Sequence, residues 1–191
     1  MRFSEQNRVT KETNCSVRLD LDGGKTEIST GVGFFDHMLN SFAVHGGFGL
    51  KIKTSGDLNV DGHHTVEDTG IVLGKAFAEA LGDRSGIARF GSFYVPMDEA
   101  LAFAAVDISG RPFVVFHAEF CQERIGDYDS CLTEEFFRAF AVHAGITLHG
   151  SVKYGNNAHH QTEALYKAVG HAMRIAVAPA GNGPLSTKGL L

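Results

Sequence analysis

No run of 18 apolar residues occurs in this 191-residue chain, which excludes a membrane-spanning helix. The N-terminal stretch MRFSEQNRVTKETN has no apolar core of the kind a secretory signal needs. Positive charge is not in excess either. Lys and Arg number 17 against 22 Asp and Glu, a net charge of −5, the opposite of the balance expected for a general nucleic-acid binder. Cysteine is sparse: Cys15, Cys121 and Cys131 form no CxxC. Cys121 and Cys131 could pair in principle, but an odd count without a signal peptide points to reduced thiols in a cytoplasmic protein. Apolar residues at 43% and charged residues at 20% exclude disordered, collagen-like and acidic-tail classes.

Glycine and histidine are plentiful. Glycine supplies 23 of 191 positions, about 12% against roughly 7% on average, which implies many tight turns and close backbone approaches. There are 10 histidines, and their distribution exposes an internal repeat. Ser41–Lys51 (SFAVHGGFGLK) and Ala139–His149 (AFAVHAGITLH) agree identically or nearly so at seven of eleven positions, at a shift of 98 residues. Gly62–Glu67 (GHHTVE) and Ala158–Glu163 (AHHQTE) follow in the same order at a shift of 96. The chain therefore reads as two homologous halves, 1–88 and 89–191, the second carrying the C-terminal tail. Two copies of about 95 residues are a duplication, not a solenoid.

Periodicity predicts the elements of each half. Val17, Leu19 and Leu21 alternate with polar residues before a DGG turn, so Cys15–Leu21 is a strand. Apolar residues at 35, 38, 39 and 42 predict a helix over Phe35–Val44, closed by Gly46–Gly47. A strand at Phe48–Thr54 and a helix at His64–Leu81 follow. The second half gives strands near 92–96, 101–108 and 112–120, a helix at 133–144, a strand at 146–153 and a helix at 160–177. Each half is roughly βββαβα. A half-sheet of this kind has one apolar face for its own helices to cover. The expected architecture is α+β, with two sheets sandwiching a layer of helices.

The strongest chemical signal is His-His-x-x-Glu, present twice as His63, His64, Glu67 and His159, His160, Glu163. On a helix, His64 and Glu67 share a face at i, i+3, and His63 and Glu67 at i, i+4. Neighbouring histidines point about 100° apart, so one pair suits two different ions, or one ion and a substrate. Mixed imidazole and carboxylate ligation without a nearby thiolate suits a borderline divalent ion such as Mn, Fe, Co or Zn. Room for water favours an octahedral ion over structural zinc. Taken singly, such a pair is an ordinary solvated first turn with a carboxylate favoured by the helix dipole; its duplication favours ligation. Lys167 falls in a narrow sector of the second helix with His160 and Glu163, where the first half has Ile71. It could equally be a surface i, i+4 partner of Glu163. His37 and Glu135 occupy matching helical positions that could point into the cage. His45 and His143 also match each other, but a hydrogen-bonded histidine closing a helix explains them as well as ligation does.

The segments RVTKET, LDGG, STGVGFFDHML, DGHHTVEDTG, RFG, MDEAL, SGRP, ITLH, NNAHHQTEALYKA and STKG, in one order from Arg8 to Gly189, resemble the imidazoleglycerol-phosphate dehydratases of histidine biosynthesis. The resemblance implies a manganese-dependent enzyme that converts imidazoleglycerol phosphate to imidazoleacetol phosphate and water. It also implies a shell of 24 identical subunits with active sites between them. Carried over, the metal ligands are His37, His63, His64, Glu67, His159, His160 and Glu163. Phosphate contacts come from Arg89, Arg111, Ser186 and Lys188, and acid/base roles fall near Glu12 and Lys167. The sequence departs from the family pattern at Glu135, in EEFF where many members have EHFF. A carboxylate can replace an imidazole on manganese, so Glu135 is kept as a ligand. Ser41 stands where many members have Gln after DHML.

The implied reaction fits these residues. Hydroxide leaves the ring-attached carbon more easily if the imidazole is made anionic, and a metal on a ring nitrogen lowers its pKa. Two ions per site, one per ring nitrogen, match a duplicated cage. Glu12, Glu163 and Lys167 are the candidates for the proton transfers. Arg89 and Arg111 can give bidentate charge-assisted bonds to phosphate. The Ser186–Gly189 tail offers a hydroxyl and an ammonium, although a terminal tail is often disordered. A metal-storage shell would need neither the arginines nor the Lys167/Ile71 asymmetry. A metal-dependent phosphatase would release phosphate, which the dehydratase keeps.

Overall fold

The computed structural model describes residues 2–181 and 183–187. The first half contains β1 (Phe3–Val9), β2 (Thr13–Asp20), β3 (Thr26–Ser29), α1 (Gly33–Gly46), β4 (Gly49–Gly56) and α2 (His63–Leu81). The second repeats the order with β5 (Phe90–Met97), β6 (Ala100–Asp107), β7 (Phe113–His117), α3 (Leu132–Ala144), β10 (Thr147–Tyr154) and α4 (Ala158–Ala176). A small hairpin, β8 (Arg124–Ile125) and β9 (Tyr128–Asp129), interrupts the second half between β7 and α3. The sheet orders are β1-β2-β4-β3 and β5-β6-β10-β7, the same order under the duplication. In each sheet the third strand lies parallel to its neighbour, β3 beside β4 and β7 beside β10, and the other pairs are antiparallel. A parallel pair needs a crossover, and α1 and α3 supply it.

The helices lie between the sheets. Each β2 or β6 side chain of one parity faces them: Cys15, Val17 and Leu19 in the first sheet, Ala100, Ala102, Ala104 and Val106 in the second. Alanines along β6 leave room for α4. A methyl on Gly91 of β5 would lie only 2.0 Å from the Ala172 carbonyl oxygen of α4. Phe42, Phe77 and Phe140, from α1, α2 and α3, meet at the centre with ring centroids 5.3–6.0 Å apart. All three are at most 1% exposed, and full burial of such a side chain contributes about 1.5–3 kcal/mol.

Helix pairing follows the duplication. A methyl on Gly170 of α4 would stand 2.7 Å from the Phe42 carbonyl oxygen of α1, and one on Gly74 of α2 would stand 2.5 Å from the Phe140 carbonyl oxygen of α3. These contacts correspond residue for residue under the repeat, so α1 packs on α4 as α3 packs on α2. The helix ends correspond too. α1 and α3 close on Gly47 (φ 71°) and Gly145 (φ 66°), left-handed positions that favour glycine.

The sequence reading located the four helices and most strands within a few residues. It did not locate β1 and β3 individually, and it missed the 118–131 insertion with β8 and β9. That insertion is anchored by Tyr128, which is fully buried beside Phe34 and Phe35 and within hydrogen-bond reach of Thr133 and Tyr166. Among the described residues no helix is long and apolar enough to cross a membrane.

Candidate active site

The N-termini of all four helices gather at one end of the molecule. A methyl on Gly62, just before α2, would touch Leu132 at the start of α3 and Val32 just before α1. Phe34 of α1 lies edge-on to His159 of α4, with centroids 5.0 Å apart, and Phe35 packs on Phe136 of α3 at 5.3 Å. Since each candidate ligand sits in the first two turns of its helix, this convergence brings the whole set to one end.

The α1–α4 seam assembles the tightest group. His37 Nε2 lies 3.2 Å and His159 Nε2 3.0 Å from the same Glu163 oxygen. One potential ligand atom from each of the three lies within 4.8 Å of the others, the one such group among the described residues. The second Glu163 oxygen accepts from Lys167 Nζ at 2.8 Å and lies 3.5 Å from Ser41 Oγ. Burial works against ionisation of Glu163, but the Lys167 ammonium and then His37 outweigh it and hold the carboxyl below its ordinary range. Two imidazoles and a carboxylate converging on one point suit a borderline divalent cation. His37 and His159, 46% and 42% exposed, leave its remaining positions accessible.

The second histidine of each motif turns elsewhere. His160 donates from Nδ1 to Glu99 at 2.8 Å, and His64 from Nδ1 to Asp57 at 3.1 Å. Their Nε2 atoms stand 3.7 Å from Asp98 and 3.9 Å from Glu12. The hydrogen bonds to Asp57 and Glu99 raise the pKa of each histidine, and the His160 bond draws Glu99 down to about 2. His160 shares a sector of α4 with Glu163 and Lys167, but its ring is turned to Glu99; as expected for neighbouring positions, the His159 and His160 rings diverge, with centroids 6.1 Å apart and planes at 80°. Within one chain the duplicated motifs lie on two seams, α1–α4 and α2–α3. Glu135 is on α3, which packs on α2 with His63 and Glu67, whereas His37 packs on α4. Glu135, His63 and Glu67 do not close into a group as tight as the one around Glu163.

His143 donates from Nδ1 to the Ala139 carbonyl at 2.9 Å, closing its own helix. His45 instead meets His171 at 3.0 Å, a partner the sequence reading did not single out. Asp57 and Glu99 were also missed. Glu99 stands immediately before β6 as Glu12 stands immediately before β2, a correspondence visible once the hairpins are aligned.

The phosphate candidates gather at the opposite end. Arg89, just before β5, pairs with Asp107 at 2.7 and 3.2 Å and donates to the Leu185 carbonyl at 2.6 Å. Arg111 reaches the same Asp107 at 3.8 Å with its side chain 69% exposed. Ser186 follows Leu185, so three of the four residues come together; Lys188 lies outside the described residues. Strand β6 separates Asp107 from Glu99 by eight residues, roughly 26 Å.

Residues 30–173 match the family model described as imidazoleglycerol-phosphate dehydratase. The chain is 54% identical over 194 aligned positions to the imidazoleglycerol-phosphate dehydratase of Lacticaseibacillus casei (strain BL23), with all of both chains covered. It is 57% identical, with the same full coverage, to that of Bacillus cereus (strain B4264). The crystal structure of the imidazoleglycerol-phosphate dehydratase from Staphylococcus aureus subsp. aureus N315 superposes with a TM-score of 0.86 at 39% identity, covering 93% of this chain and 99% of that one. The enzyme from Pyrococcus furiosus, solved in complex with (S)-C348, gives 0.85 at 37% identity, covering 97% and 99%.

Proposed function

Because this chain belongs to the imidazoleglycerol-phosphate dehydratase family of histidine biosynthesis, we propose that it converts imidazoleglycerol phosphate to imidazoleacetol phosphate and water with the help of Mn2+, in sites shared between copies of the chain. The observation that carries the shared site is the separation just described. The His/Glu end and the Arg89–Arg111 end of one chain are too far apart to hold one small substrate, so the phosphate end of one copy must meet the helix end of another. A closed homo-oligomer of 24 subunits meets that need.

His37, His63, His64, Glu67, Glu135, His159, His160 and Glu163 would hold the metal, two ions per site, whose positive charge eases the substrate imidazole toward its anion. Arg89 and Arg111 hold the phosphate by charge-assisted bonds, with Ser186 and Lys188 completing the grip. The two oxygens of Glu163 already face Lys167, His37 and His159, which suits ligation rather than proton shuttling. Glu12, with its side chain 54% exposed and no hydrogen bond to His64, is free to take the proton from the carbon that becomes the ketone. Lys167 Nζ protonates the departing hydroxyl. The enol that remains regains a proton at the ring-attached carbon, so one water leaves and the phosphate ester stays intact.

The test is to incubate Mn2+-loaded protein with imidazoleglycerol phosphate, following ketone and free phosphate together. Ketone without phosphate release is expected; phosphate release, or no ketone, overturns the reading. Co-assembling Glu12→Gln with Arg111→Ala subunits tests the shared site. Random 1:1 mixing leaves about one site in four intact if the two residues come from different copies of a closed assembly. No regain of activity in the mixture overturns that part.

A further inference from the structure

The duplication sets Glu99 where the other half has Glu12, yet the two carboxylates are held differently. Glu99 sits in a two-residue turn between the paired Met97 and Ala100. Both its oxygens are engaged: Oε1 accepts the Asn156 backbone N–H at 3.1 Å and Oε2 accepts His160 Nδ1 at 2.8 Å. Glu12 sits in a longer turn, between the paired Val9 and Asn14. There the Nδ1 of His64 is taken by Asp57, which reaches it from the β4–α2 loop with both oxygens at 3.1–3.2 Å. Glu12 is left 3.9 Å from Nε2, beyond hydrogen-bond distance.

We propose that Glu99 and Asp57 are positioning residues: each accepts the Nδ1 proton of the second histidine of its motif, His160 and His64, and so turns Nε2 outward as the ligating atom. The proposal rests on the reading that His64 and His160 hold the metal. An imidazole that donates from Nδ1 has its lone pair on Nε2, and a carboxylate acceptor both orients the ring and makes that nitrogen more basic. Two carboxylates from different loops perform the same task in the two halves. Because Asp57 performs it in the first half, Glu12 is released for proton transfer. Glu99, its counterpart, is committed to the ring.

The test uses the assembled full-length protein stripped of metal and titrated with Mn2+ alone, by calorimetry and by the Mn2+ electron-spin signal. Glu99→Ala is expected to weaken Mn2+ binding about 10–100-fold, the scale on which outer partners of ligating histidines act. Glu99→Gln keeps an oxygen that can accept the Nδ1 proton but removes the charge, and is expected to lose less. The metal-free melting temperature of Glu99→Gln is expected to stay at the wild-type value. In a His160→Gln background, Glu99→Ala is expected to add no further loss. If His160→Gln itself binds Mn2+ as the wild type does, the ligand reading fails and the positioning role with it. If His160→Gln weakens binding while Glu99→Ala and Glu99→Gln do not, or if the losses simply add, the positioning role alone is overturned. Should Glu99→Ala fail to assemble, the isosteric Glu99→Gln decides the question by the same titration.

Discussion

The contact between α1 and α4 makes a quantitative prediction, because the helix approach that holds His37 beside Glu163 depends on a missing side chain. Gly170→Ala would put a methyl 2.7 Å from the Phe42 carbonyl oxygen and 3.2 Å from the Gly46 nitrogen. Both are backbone atoms of α1, so neither can swing aside, and the helices must separate by a few tenths of an ångström or more. Two effects oppose each other. Alanine is about 1 kcal/mol better than glycine inside a helix, while overpacking a close contact costs about 1–3 kcal/mol. The net is a destabilisation between about 0 and 2 kcal/mol, a fall in melting temperature of roughly 2–4 °C per kcal/mol for a chain of this size. Gly170 lies seven residues, two turns, beyond Glu163, so the separation also loosens the His37–Glu163 approach and weakens Mn2+ binding. Thermal melts at fixed protein concentration with chelator present, followed by Mn2+ titration, measure both. Gly33→Ala at the start of α1, where a methyl meets nothing within 4 Å, is the control and is expected to leave both unchanged or raise the melting point slightly. A Gly170→Ala protein that melts above the wild type and binds Mn2+ equally well would show that the seam tolerates separation and would refute the reasoning.

Glu12→Gln is expected to leave Mn2+ binding and KM near wild type while kcat falls about 10²–10⁴-fold, the scale of general acid–base catalysis, in steady-state assays of ketone formation. Arg111→Ala is expected to raise KM mainly, with a smaller fall in kcat, because the phosphate it would hold does not react; a fall in kcat alone would remove it from the phosphate site. Cys15 is buried, and burial raises its thiol pKa, whereas Cys121 and Cys131 are exposed on the chain. Thiol titration of the native protein at pH 8 should leave Cys15 unreacted until denaturant is added, and rapid reaction of all three thiols would contradict that.

The architecture was legible because the repeat was legible. Once SFAVHGGFGLK and AFAVHAGITLH are aligned, one half's helix spacing supports the other's. Edge strands β1 and β3 were harder: alternating polar and charged residues, as in FSEQNRV, carry little apolar signal when only one face is covered. The 118–131 insertion was invisible for a different reason. Its one large, fully buried side chain is Tyr128, in a stretch that otherwise reads as a polar loop and is held to α4 by backbone bonds to Gln161. At the candidate site, residue types and helical positions were readable, but side-chain direction was not. The 3.6-residue period grouped His160 with Lys167, whereas the His160 ring follows a carboxylate on a turn 61 residues away in the chain. Periodicity describes a helix surface and has no term for what the neighbouring loop presents to it.

Two equivalent seams are what a duplicated fold provides, and the dehydration needs them to be unequal. The proposed grip on a planar ring from two sides calls for symmetry, and the paired His-His-x-x-Glu motifs at helix N-termini would supply it. A helix N-terminus is electropositive and repels a cation; a carboxylate in each second turn, Glu67 and Glu163, offsets that field at each seam. Proton transfer calls for the reverse, one base and one acid on different sides of a single bond. The chain breaks its own symmetry at the positions proposed to govern protons. Lys167 faces Glu163 where Ile71 stands beyond Glu67, and Asp57 takes over the ring of His64 so that Glu12 is left without that partner. The core contacts at Gly74 and Gly170 keep the duplication almost unchanged, while the side chains around the candidate site have diverged. That is the pattern expected if packing constrains the frame equally in both halves and the chemistry constrains them separately.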